Sequence, residues 1–506
     1  MLKLVSKFIA NIKLIIKTKP ILAYSIGSLI GCLLLNLGIF KEYAFLDANE
    51  YIWTAYKNPK FQNEFIQGGR FLFGIISEFV YGSLCNTIAD LKWVRLFALL
   101  SCVFFSIQVF TYLLKLTKKV NESALFSFLI LTLPSFSTYY SWSCTLEIPV
   151  LLCLNFFAGT LLIKAFYSKK HRILYYFVSL LIVVISLCIY QSAITAFLIP
   201  IVFSSLINRD FSIKKLISIL IFIAISFSIY FIVFKTSLFL YGLEPTNRTK
   251  LDLLKLPLKV ILFYLRELRL VFKGSGFLVA PIFFLIIGAS SFLGFLYLLY
   301  QKRSKIPQFY FKVSCLILVL PLSYLPNLLS SQTFVCSRTI APTAVIVLFY
   351  QFCFFYSLSL CKSIFKKLSL TLVLILIICS SINLNYYITR VQNKEHLAIK
   401  KAYTNIPLNN TKKIIIIKPK PNFLQDYGFY KQESADEFGH LSSVKPWAPE
   451  PLFRQILKER LDSLGLEKEQ FEINKIEVYE LGEKYNTDNS IVINLIDVLK
   501  KEFTKR

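Results

Sequence analysis

LDANEYIWTAYKNPKFQNEFIQGGRFLF, residues 46–73, is a polar, carboxylate-rich stretch in a chain built otherwise of apolar runs. It places Asp47 and Glu50 soon after the first apolar run, then Glu64, and closes on Gly68-Gly69-Arg70 before a new apolar helix expected to start near Phe71. Asp47 and Glu50 are three residues apart, so a helix would put them on one face, where one can act as base while the other holds substrate hydroxyls. The competing reading is a solvated loop with ordinary surface acids. Gly69 and Arg70 at a helix start would offer bare N–H groups and a guanidinium to a phosphate. Carboxylates at one end and a cation at the other suit a reaction that deprotonates a hydroxyl and loses a phosphate.

Around this stretch, the composition excludes an ordinary soluble globule: of 506 residues, 56% are hydrophobic, 16% aromatic and only 17% charged. Windows of about 20 apolar residues, the length that crosses a bilayer, fall at residues 21–40, 94–115, 122–139, 147–166, 174–190, 192–208, 216–240, 277–300, 310–328, 340–361 and 369–388. The reading is an all-α polytopic membrane protein of about eleven transmembrane helices over residues 1–388. The net charge of +28 does not signal nucleic acid, because the basic residues sit in short connections between apolar runs. Residues 3–19, 115–119, 164–172, 209–215, 302–305 and 362–367 are basic and are expected to face the cytoplasm. An odd number of spans then puts the 41–93 loop, the 241–276 connection and everything after about residue 388 outside. The basic amino terminus leads into an apolar run too long for a signal-peptide core and is expected to stay as an anchor.

Most of the eleven cysteines lie inside apolar runs without ligand-like spacing, so neither a disulfide framework nor a zinc-type site is expected. The 241–276 connection departs from the charge rule. Its second half, residues 257–273, sets Lys259, Arg266, Arg269 and Lys273 at spacings of seven, three and four, on one side of an interfacial helix. That side would bind lipid headgroups, or help collect a lipid phosphate through Arg266 and Arg269. Residues 389–506 have the composition of a small soluble α/β domain, with strands at 413–418, 475–481 and 491–498 and a helix at 451–464. No phosphate loop or catalytic set marks it, and it is expected to be accessory.

Three further places carry chemistry. Glu147 starts an apolar run beside Trp142, and an ionisable group at that depth is costly unless it is paired or faces a cavity. Tyr190-Gln191 forms a tight outer turn where sugar hydroxyls could bind, or where side chains merely cap helices. Arg338 is a second outward arginine at a membrane border, where the alternative is snorkelling.

In this order, Asp47, Gly69-Arg70, Ser141-Trp142 through Glu147, and Tyr190-Gln191 resemble the Gtr-type O-antigen glucosyltransferases, multispan bacterial enzymes of the GT-C class. The likeness covers roughly the first 210 residues, with Arg338 added later in the chain. It departs from the family in having Asp47-Ala48-Asn49-Glu50 where two adjacent acids are usual, which leaves Asp47 and Glu50 both open as the base. It also has Glu147 where the family has Asp. The resemblance implies a GT-C-like fold in the bacterial cytoplasmic membrane and transfer of a hexose from a polyprenyl-phosphate carrier to an extracytoplasmic glycan or lipid-linked acceptor, with no organic cofactor and metal dependence open. It implies Asp47 or Glu50 as base, Gly69, Arg70 and Arg338 on the donor phosphate, and Trp142, Glu147, Tyr190 and Gln191 around the sugar. A flippase of lipid-linked sugars would share the spans but should show internal repeats, which are not apparent; a polysaccharide polymerase is the closer rival.

Overall fold

The computed structural model describes residues 18–57, 61–208, 212–306, 308–333, 335–406, 413–427, 440–465, 475–487 and 490–504. The amino-terminal basic stretch, apart from its last two residues, and residues 209–211 of a basic connection lie outside the described residues.

A backbone in hydrocarbon must satisfy its own N–H and C=O groups, so long apolar runs fold as helices. Each of the eleven apolar runs is helical. By length and composition six helices can cross a bilayer: Ile88–Thr117, Ser143–Tyr167, Ile213–Tyr241, Pro281–Gln301, Ala341–Cys361 and Ser363–Thr404. A seventh is the pair Val120–Ile130 and Pro134–Ser141, bent by 58°, where Pro134 opens the second piece as only a first-turn proline can. The other four runs, Pro20–Leu35, Arg172–Leu187, Gln191–Ile207 and Phe309–Leu322, are shorter helices of at most 17 residues. Two of them, Arg172–Leu187 and Gln191–Ile207, are separated by the turn at Cys188–Tyr190, and Tyr190, Gln191 and Ser192 at that corner line a cleft.

The basic connections gather at one end of the bundle, where Lys119 bonds the Tyr356 hydroxyl and Lys215 Nζ donates to Tyr167 Oη at 2.9 Å. At the other end, the 41–93 segment is not an open loop. It folds into helices Asp47–Lys57, Gln62–Gln67 and Phe71–Phe79, the last prolonged by a π turn at Val80–Leu84. Tyr51 seats itself edge-on against Phe61, Phe65 and Tyr81, so aromatic packing closes this layer.

The carboxy-terminal region differs from its sequence reading in two respects. The helix that starts at Ser363 runs on to Thr404 through a π turn at Asn383–Thr389, so no break falls at residue 388. The third strand is only Ser490–Asn494, because Asn494 caps a helix, Leu495–Phe503, whose Leu495, Ile496, Leu499 and Phe503 recur at helical and not strand spacing and are all buried. Strand β1 (Lys413–Lys418) pairs in parallel with both β2 (Lys475–Glu480) and β3 (Ser490–Asn494), giving the order β2-β1-β3. Helix Pro449–Leu464 packs on helix Asp47–Lys57, and one apolar core joins Ile52, Tyr81 and Trp142 to Phe453, Leu452 and Leu499. The domain is thus continuous with the 41–93 layer. Polar ties seal the joint: Leu46 N–H donates to Ser442 Oγ at 3.0 Å, Ile88 N–H to Glu459 Oε1 at 2.7 Å, and Gln455 Nε2 to the Asn86 carbonyl at 2.9 Å.

Glu42 clasps the same joint. Its Oε1 lies 3.3 Å from His396 Nε2 and also bonds Lys400. The hydrogen bond from His396, with that of Lys400 and both charges, holds its carboxyl down at about 2 in spite of partial burial. A depressed acid contributes stability that is present above its ordinary pKa and lost as pH falls through the folded value, here between about 4.5 and 2. Glu42→Gln is therefore expected to lower the thermal midpoint at pH 7 and to narrow its gap to wild type on acidification towards pH 3. An unchanged midpoint at pH 7 would show that the clasp holds nothing.

Candidate active site

The cleft is built on the turn at Gly68–Arg70. Helix Gln62–Gln67 is closed by three backbone bonds, Gly68 N–H to the Glu64 carbonyl, Gly69 N–H to Ile66 and Arg70 N–H to Phe65. These N–H groups are consumed, which corrects the expectation that Gly69 offers a bare amide to phosphate. Gly69 instead contributes its backbone shape, with φ +72°, a region in which side chains are strained. Its carbonyl accepts from Gln191 Nε2 at 2.9 Å and from Tyr230 Oη at 3.0 Å, and Gln191 Nε2 also donates to Tyr230 Oη at 2.8 Å. A Cβ on Gly69 would run into the Tyr230 hydroxyl. This knot ties the turn to helix Ile213–Tyr241 and to the Tyr190-Gln191 corner, and aims Arg70 outward from it.

The result is a cleft of about 780 Å³ whose walls include Asp47, Tyr51, Glu64, Arg70, Tyr190, Gln191, Tyr230, Asn327 and Arg338. Five of the residues singled out in the sequence thus meet in one cavity, although residues 47 and 338 are 291 apart. Arg70 lies with its guanidinium carbon 5.6 Å from the Phe65 ring centre and 5.8 Å from that of Phe73, a pair of aromatic faces that hold it without neutralising it. Arg338 stacks 4.5 Å from the Trp142 ring centre. Trp142 and Glu147 are themselves buried and do not line the cleft. The structure does not bring these two into the cavity with the other candidate residues; Trp142 lies against Arg338 instead. The charges of Arg70 and Arg338 both bear on the Glu147 carboxyl, whose Oε2 has no hydrogen-bond partner among the described residues.

The two acids of helix Asp47–Lys57 separate. Asp47 faces the cleft; Glu50 is not among its lining residues. Burial, with the Glu64 and Asp47 carboxylates adding to it, pushes the Glu50 carboxyl up from 4.5 to about 7. Asp47 Oδ1 accepts a hydrogen bond of 3.1 Å from Trp447 Nε1 of the carboxy-terminal domain.

Arg266 and Arg269 are exposed and do not line the cleft. A π turn at Phe263–Glu267 inserts an extra residue between helices Leu256–Leu262 and Leu268–Lys273, which splits the expected single basic face. Lys259 and Lys273 turn inward, and Lys259 Nζ donates to the Ser330 carbonyl at 2.6 Å. Lys259 Nζ also lies 4.0 Å from Asp252 Oδ2, so it links Ser330 to the strap at residues 246–252, and Ser331 N–H donates to the Lys250 carbonyl at 2.7 Å beside it.

Below the cleft runs an apolar groove of about 570 Å³, lined by Leu216, Ile219, Leu220, Leu299, Val319 and Leu328 among others. Groove and cleft share two helices. Helix Ile213–Tyr241 gives Leu216, Ile219 and Leu220 to the groove and Phe227, Ser228, Tyr230, Phe231 and Phe234 to the cleft; helix Leu325–Leu329 turns Leu325 and Leu328 to one and Pro326, Asn327 and Leu329 to the other. The groove reaches Lys302 and Lys312 at its far end.

Sequence reasoning missed Tyr230 and Trp447. A lone tyrosine in a span has no local signal of its partner, and Trp447 sits in a Pro-flanked turn, KPWAPE, that reads as surface loop. Among the described residues no group of three or more His, Cys, Asp or Glu could hold a metal ion. Compared with protein-family models, curated proteins and solved structures, the chain matches none.

The raised Glu50 carboxyl sets a pH dependence. A group that binds its proton more tightly in the fold contributes stability that is full below its ordinary pKa and is lost as pH rises through the folded value, here between about 4.5 and 7. Glu50→Gln should flatten the fall in thermal midpoint from pH 5 to pH 8. A variant whose midpoint tracks wild type over that range would mean Glu50 is solvated and ordinary.

Proposed function

We propose that the protein is an integral membrane glycosyltransferase that takes a hexose from a polyprenyl-phosphate carrier and delivers it to a glycan or lipid-linked acceptor outside the bacterial cytoplasmic membrane. The observation that carries this reading is the cleft itself: two carboxylates, Asp47 and Glu64, and two arginines, Arg70 and Arg338, in a cavity stacked on an apolar groove. A lipid-linked sugar has that shape, a polar head and a long hydrocarbon tail. The resemblance in residue order to the Gtr-type enzymes supports the same reading, as does the gathering of basic connections at the opposite end, which by the positive-inside rule favours an outward cleft.

In the reaction the acceptor hydroxyl gives its proton to Asp47 as its oxygen bonds the anomeric carbon. The bond from that carbon to the carrier's phosphate oxygen breaks, and polyprenyl phosphate departs with the electron pair. Arg70 and Arg338 meet the charge that grows on the phosphate, where a guanidinium fork matches the phosphate oxygens. Glu147 is buried outside the cleft, within electrostatic reach of both guanidiniums. Asp47, facing the cleft, takes the role of base that the sequence left open between it and Glu50. The groove takes the first isoprene units, so the bond being broken stays at the membrane border.

The test is to incubate purified protein with polyprenyl-phosphate hexoses and measure released polyprenyl phosphate together with glycosylated acceptor. Asp47→Asn should lower turnover about a hundredfold or more, since an amide takes no proton, while donor affinity stays. Arg70→Lys keeps charge but loses the fork, so affinity and rate both fall, and Arg70→Ala falls further. Wild-type rates in all three variants would remove the cleft as the catalytic centre.

A further inference from the structure

The carboxy-terminal domain, expected to be accessory, reaches the cleft through one of its lining residues, Asp47. Residues 442–447 are pinned from both sides. Ser442 N–H and Ser443 N–H donate to the buried Glu395 carboxylate at 2.8 and 2.7 Å, and Ser442 Oγ accepts from Leu46 N–H. Leu46 is held there at φ 47°, a conformation a leucine rarely adopts, directly before Asp47. Local strain of this kind persists only where the surroundings over-determine it, and here it fixes the start of helix Asp47–Lys57 against the 442–447 segment. At the end of that segment Trp447 donates its Nε1–H to Asp47 Oδ1, yet its ring stays 43% exposed.

The indole is attached by its polar edge to the carboxylate that faces the cleft, and its ring is left open to solvent on the outer side of that bond. The bond takes up Oδ1 and leaves Oδ2 to receive a proton. A sugar whose hydroxyl reached Oδ2 would lie within a ring's breadth of the indole, because both are joined to the same carboxylate. The apolar face of a pyranose ring, with its axial C–H groups, fits a flat aromatic surface, while its equatorial hydroxyls stay turned to water and to Lys445, whose Nζ lies 5.6 Å from the indole centre.

We propose that Trp447 is the acceptor subsite: a sugar ring of the acceptor glycan stacks on its exposed face, and its Nε1–H holds Asp47 in the orientation that takes the acceptor proton. This rests on the glycosyltransferase reading and adds to it the class of acceptor, a neutral pyranose glycan, and the surface that binds it. Trp447 touches the acceptor by its ring and acts on the chemistry through Asp47.

The experiment uses the full-length protein in detergent and two calorimetric titrations, one with glucohexaose as a neutral pyranose probe and one with polyprenyl phosphate. Wild type is expected to bind glucohexaose in the millimolar range; Trp447→Ala should weaken this at least tenfold, and Trp447→Phe, which keeps an aromatic face, less than about threefold. Polyprenyl phosphate should bind all three proteins alike, which shows that the variants are folded. Equal glucohexaose binding by wild type and Trp447→Ala, or none by wild type, overturns the subsite. Failure of wild type to bind polyprenyl phosphate instead contradicts the glycosyltransferase reading, so the two failures are distinct. Kinetics separate the second role: Trp447→Phe should lower kcat about tenfold with little change in acceptor KM, because the ring remains and the bond to Asp47 is gone. An increase in kcat would mean that Trp447 restrains Asp47 and would also overturn the proposal.

Discussion

A guanidinium sunk among apolar helices must have its N–H groups met, and Arg95 is such a group, 1% exposed near the start of helix Leu91–Thr117. It meets them with backbone alone: Nε donates to the Ile39 carbonyl at 2.8 Å, Nη1 to Tyr43 at 2.9 Å and Nη2 to Lys41 at 2.6 Å, with the Tyr43 ring 4.0 Å from its centre. Three carbonyls in five residues leave the chain no freedom between the first helix and Leu46. Where Asp47 stands therefore follows from where Arg95 stands. The cleft, the joint with the carboxy-terminal domain and the proposed chemistry all depend on that clamp, because a base displaced by an ångström no longer reaches its proton.

The same constraint, that polar groups in an apolar bundle must be met, explains how the other wall is fixed. The Gly69 carbonyl is met by Gln191 and Tyr230, and Asn327 Nδ2 by Ser192 Oγ at 3.1 Å. Each bond joins segments distant in the chain, so the cleft is assembled by its polar contacts while the apolar helices supply the mass around it. Arg70 is left to aromatic faces, which hold a cation without cancelling it, and that is the state a phosphate needs.

The apolar runs were legible because a bilayer imposes one length and one backbone solution on them, and Asp47, Arg70, Tyr190, Gln191 and Arg338 were legible because polar residues at the ends of such runs are few. What the sequence could not display was pairing at a distance. Nothing around Tyr230 announces Gly69, and nothing around Trp447 announces Asp47. Glu147 stood out because a carboxyl at that depth is costly, but it and Trp142 are buried and do not line the cleft, a placement that spacing along the chain does not display. The basic face at residues 259–273 failed as a unit because one π turn, invisible to a count of spacings, slipped the register. The last strand was cut short by Asn494, whose capping bond favours a helix where alternation suggested a strand.

The central claim, that cleft and groove hold one lipid-linked sugar donor, is tested most directly by photo-cross-linking the full-length protein with a polyprenyl phosphate carrying a photoreactive group on its first isoprene units, followed by peptide mapping. Adducts are expected on Leu216, Ile219 or Leu220 and on Leu325 or Leu328, competed away by unlabelled polyprenyl phosphate, with Arg70 and Arg338 protected from guanidine-directed modification in the same samples. Adducts confined to the outer faces of the bundle, with both arginines as reactive as in the free protein, would contradict it.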